Sequence, residues 1–99
     1  MVHVIIDITI KDEEMYNEYI RQVSPIVKQF GGKYLVRGGA ITPLAGGWNP
    51  ERIIVLEFES KEQVFTWLKS PEYAQVAGLR EQSTSSKAII IESGELPVD

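Results

Sequence analysis

The segment Gly31-Gly32-Lys33-Tyr34-Leu35-Val36-Arg37-Gly38-Gly39 is a short β-prone run bracketed by two glycine pairs. Paired glycines let a backbone turn sharply where a Cβ would be strained. They end whatever precedes the run and start a new loop after it, so Lys33–Arg37 is bounded as a short strand. The preceding pattern is helical. Met15, Tyr16, Tyr19, Ile20, Val23, Ile26, Val27 and Phe30 recur at three-to-four spacing. Asp12 supplies an N-cap, Glu13 and Glu14 suit the positive end of the helix, and Gly31 terminates it. Pro25 lies inside this helix and predicts a kink near Arg21 to Ser24.

The rest of the chain falls into place around that strand. Val2 to Ile10 is rich in β-branched residues and reads as the first strand. Its even-numbered residues, Val2 through Ile10, share one face, and His3, Ile5, Asp7 and Thr9 share the other. A loop from about Ala40 to Pro50 carries Gly46-Gly47-Trp48, and Arg52 to Glu59 is the third strand. Ser60-Lys61-Glu62-Gln63 is a capping box opening a helix to about Lys69. Ser70-Pro71 restarts helix to about Gln82, with Tyr73, Val76, Ala77 and Arg80 on its inner face. Ser83 to Ser86 reads as a polar turn and Lys87 to Ser93 as the fourth strand. The order β-α-β-β-α-β is the ferredoxin-like α+β arrangement with a four-stranded antiparallel sheet. Residues 1–94 are expected to form one domain and 95–99 a loose tail.

The strands are apolar on both parities: Ile54, Leu56 and Phe58 alternate with Ile53 and Val55, and Ile90 with Ile89 and Ile91. Helices of this number cover one face of a sheet. The other face would expose a larger apolar patch than soluble monomers usually carry. A homodimer packed sheet to sheet is therefore expected. By parity, Lys33, Arg37, Glu57 and Glu59 join His3 and Asp7 on that outer face.

Composition narrows the functional classes. A formal charge of −4 argues against a nucleic-acid partner. An RNA-recognition domain of this topology would also display stacking aromatics on the sheet face, where this chain has carboxylates and aliphatics. There is no cysteine, hence no disulfide, thiolate nucleophile or cysteine metal site. One histidine leaves no standard zinc constellation. No metal and no cofactor are expected. No apolar stretch approaches membrane-spanning length, and the start lacks the features of a signal peptide, so a cytoplasmic protein is expected. Neither a nucleophile elbow nor a phosphate-binding glycine loop occurs.

Taken together, Phe30 to Gly39, Trp48-Asn49-Pro50-Glu51-Arg52, Ile54-Val55-Leu56-Glu57-Phe58, Trp67-Leu68-Lys69-Ser70-Pro71-Glu72-Tyr73 and Arg80 resemble the family catalogued as domain of unknown function 1330. The resemblance runs from about Val4 to Gly94. It implies a dimeric α/β barrel in which two ferredoxin-like subunits pack sheet against sheet. It also implies kinship with small cofactor-independent monooxygenases, lactone isomerases, dehydratases and haem-degrading enzymes, whose ligands sit between sheet and helices or inside the barrel. The family has no established reaction, so the resemblance assigns no catalytic residue. The tyrosine usual after the tryptophan of its helical motif is Leu68 here.

Candidate chemistry follows from residue type. His3, oriented by Asp7 or Glu59, is suited to acid–base work; as an ordinary strand residue it needs no such role. Asp7 and Glu57, on strands expected to be central, would form an acid–base carboxylate pair if close together. Equally, with Lys33 and Arg37, they would form an ion network that sets dimer geometry. Arg37 would grip an anionic substrate. Trp48 is either a lid over a pocket or an interface aromatic. Tyr19, Tyr34 and Trp67 are candidate substrate-binding residues, beside Tyr16 and Tyr73 as core or cleft lining. Two functions stand: a small cofactor-independent enzyme, monooxygenase- or isomerase-like, acting on an apolar or carbonyl-bearing metabolite, and a non-catalytic ligand-binding or assembly module.

Overall fold

The computed structural model describes residues 1–94; the expected tail at 95–99 lies outside the described residues. The elements are β1 (Val2–Ile10), α1 (Glu13–Gln29), β2 (Lys33–Arg37), β3 (Arg52–Phe58), α2 (Lys61–Leu68), α3 (Pro71–Ser83) and β4 (Thr84–Glu92). They build an α+β, ferredoxin-like fold. Its four strands form one sheet in the order β2-β3-β1-β4, antiparallel throughout.

Three polar side chains start the three helices. Asp12 accepts from the Met15 N–H at 3.1 Å, Ser60 from Gln63 at 3.2 Å and Ser70 from Tyr73 at 3.1 Å. Each satisfies a donor that the first helical turn leaves unpaired. The Gln63 side chain accepts from the Glu59 N–H, tying the end of β3 to α2. Helix α1 is continuous through Pro25. The Ser24 hydroxyl donates to the Ile20 carbonyl at 2.6 Å.

The helices cover one face of the sheet. Val2, Val4 and Ile8 of β1 and Ile54, Leu56 and Phe58 of β3 pack there against Tyr16, Tyr19, Val23 and Val27 of α1, and against Val64, Trp67, Tyr73 and Val76. Trp67 stacks on Phe58 with ring centroids 5.5 Å apart and meets the edge of Tyr73 at 5.1 Å. Gly32 is required by this packing: a Cβ there would lie 2.6 Å from Phe58 Cζ and 2.7 Å from Val27 Cγ1.

Two sequence expectations change. The polar run after α3 is not a turn: Thr84, Ser85 and Ser86 already pair with Ile10, Thr9 and Ile8 of β1. The long first strand offers a ladder that local turn propensity does not outweigh. Thr84 closes the helix as it enters the strand, its hydroxyl donating to the Arg80 carbonyl at 2.7 Å.

The second change concerns β2. Its register against β3 shifts between Tyr34 and Val36, so that Val36 faces Val55 and Arg37 faces Ile54. The extra residue reverses side-chain parity beyond the bulge. Ile54 belongs to the helix-covered face, so Arg37 is on that side and not beside Lys33 on the outer face. Leu35 and Val36 are both exposed.

Candidate functional site

Between the sheet and α1 lies a small apolar cavity of about 30 Å³. Ile6, Ile8, Ile54 and Leu56 floor it, and Tyr16, Tyr19, Ile20 and Val23 roof it, with Tyr34, Trp67, Arg80 and Ser86 at its ends. That volume suits about one water molecule. A more open cleft of about 310 Å³ adjoins it, sharing Ile6, Tyr19, Trp67, Arg80 and Ser86 and adding Val4, Leu68, Tyr73 and Ala88. This is at the lower end of the range for small-molecule pockets.

The polar atoms of this region are donors. Trp67 Nε1 and Arg80 Nε are buried without a hydrogen-bond partner among the described residues. An unpaired buried donor costs of order 1–3 kcal/mol, so such atoms are where a ligand oxygen gains most. The Tyr19 and Tyr73 hydroxyls bond each other at 3.3 Å. Burial, then the neighbouring Tyr73, raises the Tyr19 phenol far above its ordinary pKa, so it stays protonated. Burial also raises Tyr16, against the opposing charge of Arg52, whose Nε donates to the Tyr16 hydroxyl at 2.9 Å.

The opposite, outer face carries the other sequence candidates. His3 Nε2 meets Glu57 Oε2 at 3.1 Å across the β1–β3 ladder, and Lys33 stands in register on the far side of Glu57. Asp7 instead stands opposite Ile53 and Lys87. Its carboxylate accepts the Trp48 indole N–H at 3.1 Å. Asp7 and His3 are four residues apart along one strand, roughly 13 Å. Asp7 and Glu57 therefore do not form a carboxylate pair; each is held by its own partner. An open cleft of about 280 Å³ lies beside Asp7, Trp48 and Lys87.

Of the sequence-chosen binding residues, Tyr19, Tyr34 and Trp67 meet at the helix–sheet cavity. Trp48 is on the other side of the sheet. Arg37 lies outside the cavity wall, over the ring of Tyr34. Residue type alone does not mark Arg80 or Ser86 for binding. The spacing Tyr73, Val76, Arg80 marks Arg80 as inward-facing, whereas Ser86 lies in a polar run whose composition favours a turn over the strand it joins.

The family described as a domain of unknown function (DUF1330) matches residues 1–94. Comparison with curated proteins returns no match. Among solved structures, the chain is similar to the RPA0582 protein of unknown function from Rhodopseudomonas palustris, with TM-score 0.81, 18% identity, and 96% of this chain and 83% of that one covered. It is also similar to SnoaB, a cofactor-independent oxygenase from Streptomyces nogalater, with TM-score 0.67, 9% identity and coverages of 96% and 94%. A provisionally assigned antibiotic biosynthesis monooxygenase from Nitrosomonas europaea matches with TM-score 0.65, 12% identity and coverages of 94% and 98%. At these identities the likeness is one of fold.

Proposed function

We propose that this chain, which belongs to the family described as a domain of unknown function (DUF1330), is a homodimeric, cofactor-independent enzyme of monooxygenase- or isomerase-like chemistry, acting in the cytoplasm on a small apolar, carbonyl-bearing molecule held between helices and sheet. The observation that carries the reading is the pair of partnerless donors, Trp67 Nε1 and Arg80 Nε, in an apolar pocket. SnoaB is a cofactor-independent oxygenase on the same fold, which supports the reaction class by analogy.

Both chemistries begin with transfer of a proton from the carbon beside a carbonyl to solvent water or hydroxide entering through the open cleft, because the pocket walls carry no base among the described residues. The oxygenase course afterwards takes dioxygen as its oxidant. In either course proton loss leaves an enolate oxygen. Preorganised donors aimed at that oxygen stabilise the developing charge in a low-dielectric site. Trp67 Nε1 and the protonated Tyr19 hydroxyl suit this role. Tyr19 serves as hydrogen-bond donor or proton donor rather than base, because burial holds its proton. Tyr34 closes the wall.

His3, Glu57 and Asp7 lie across the sheet from this pocket, and in this reading they belong to the dimer face. That face shows Leu35, Val36, Ile89 and Ile91 at 42–56% exposure, an apolar surface that a second copy would cover. The bonded state of Glu57 and Asp7 supports their acting there as fixed polar contacts.

The test is exchange of hydrogen for deuterium beside the carbonyl of small apolar ketones, followed by NMR. Exchange above the buffer rate, lost in Trp67→Phe and Tyr19→Phe, is expected. If no ketone of fitting size exchanges while such compounds still bind, the chain is a ligand-binding module and the enzymatic reading fails.

A further inference from the structure

Among the described residues, Arg80 is the single charged side chain walling the helix–sheet cavity and its adjoining cleft. Its Nη1 donates to the neutral Ser86 hydroxyl at 3.0 Å. The carboxylate of Glu81 stands 3.9 Å from Nη2, beyond hydrogen-bond reach, on a side chain 67% exposed to water. Its Nε is buried and unpartnered. A guanidinium offers only donors, and this one is partly desolvated among apolar walls, its one ion pair among the described residues being the loose contact with the water-exposed Glu81 carboxylate.

The surrounding groups have the same polarity. Trp67 lines both cavity and cleft, and its Nε1 lacks an acceptor among the described residues. Tyr19 and Tyr73 share one hydrogen bond between two hydroxyls, so one O–H stays available to a ligand. Among the described residues the site thus has one positive charge, unspent donors and no carboxylate in its walls, beside Val4, Ile6, Leu68 and Ala88.

We infer that this pocket takes its ligand as a small apolar monocarboxylate. The carboxylate sits at Arg80, beside the Trp67 indole, and the hydrocarbon or aromatic body lies in the cleft toward Leu68 and Tyr73. One cation matches one negative charge, and an apolar body is what the remaining walls desolvate without cost. The inference rests on the reading that the helix–sheet cavity is the ligand site, and it adds the charge and class of the molecule.

The experiment uses benzoate and its neutral counterpart benzamide as probes, titrated to millimolar concentration. The readout is the Trp67 indole N–H resonance in a Trp48→Phe background, which leaves one indole. Benzoate should shift that resonance and raise the melting temperature, with benzamide at least tenfold weaker. Arg80→Gln should weaken benzoate about tenfold or more and leave benzamide unchanged, and Arg80→Lys should restore part of the loss. Equal binding of the two probes, or benzoate binding untouched by Arg80→Gln in a folded variant, overturns the carboxylate assignment and leaves the pocket standing. If neither probe moves the Trp67 indole, both the assignment and the pocket reading fall.

Discussion

Arg37 lies across the ring of Tyr34, its guanidinium carbon 4.5 Å from the ring centroid, and its Nη2 donates to the Ser24 hydroxyl at 2.6 Å. The contact joins the edge strand to the middle of α1, and it exists because the β2 bulge turns Arg37 to the helix side. Arg37→Ala should therefore cost about 1 kcal/mol in urea denaturation, the scale of an exposed cation–π contact with one hydrogen bond. Self-association measured by light scattering should not change. A variant with intact stability but weakened association would return Arg37 to the outer face.

Gly38 ends the same strand with φ +82°, and a Cβ there would lie 2.5 Å from Arg52 Nη1. Gly38→Val thus meets two obstacles: a left-handed backbone and a guanidinium already engaged by the Tyr16 hydroxyl. The expected loss is about 2 kcal/mol, which lowers the melting temperature of a domain this size by roughly 8–16 °C. An unchanged melting transition would show that the loop after β2 relaxes freely.

The fold was legible because each of its determinants is local. Asp12, Ser60 and Ser70 announce the helix starts, Gly31 the end of α1, and alternation in Val2–Ile10 the helix-covered face. What escaped was register. Nothing in Tyr34-Leu35-Val36 marks which residue bulges, yet that one residue moved Arg37 across the sheet. Tertiary pairing likewise overrode the turn propensity of Ser83–Ser86. For the site, residue type picked out Tyr19, Tyr34 and Trp67. It could not reveal that Asp7 and Glu57, both on central strands, stand roughly 13 Å apart along the ladder. Nor could it show that Trp67 Nε1 ends without a partner, since that depends on which atoms converge around it.

The outer face makes a separate prediction. Ile89 and Ile91, on the edge strand β4, are 56% and 47% exposed. Ile89→Lys and Ile91→Lys place charges in the proposed sheet-to-sheet contact and leave the helix-side core untouched. Light scattering should show the double variant as a monomer at concentrations where the wild type is a dimer, with far-ultraviolet circular dichroism preserved. A wild type that is monomeric at micromolar concentration would remove the proposed interface altogether.

Tyr19 fixes the alkaline limit of stability. Its phenol is raised well above the ordinary value near 10, chiefly by burial and next by Tyr73. Below pH 10 the phenol is protonated in both folded and unfolded chains, so the contribution is fully present. Above pH 10 the unfolded chain releases a proton that the folded chain keeps. The unfolded state then binds fewer protons, and stability falls as pH rises. A fully protected phenol imposes a slope of about 1.4 kcal/mol per pH unit. Phenolate absorbance should show Tyr19 ionising only as the fold is lost, and Tyr16, raised less because Arg52 opposes its burial, following a shallower course. Tyr19→Phe should flatten the decline of denaturation free energy above pH 10. If all four tyrosines ionise near pH 10 in a chain whose circular dichroism is still native, then Tyr19 is open to water and cannot be the retained proton donor at the pocket.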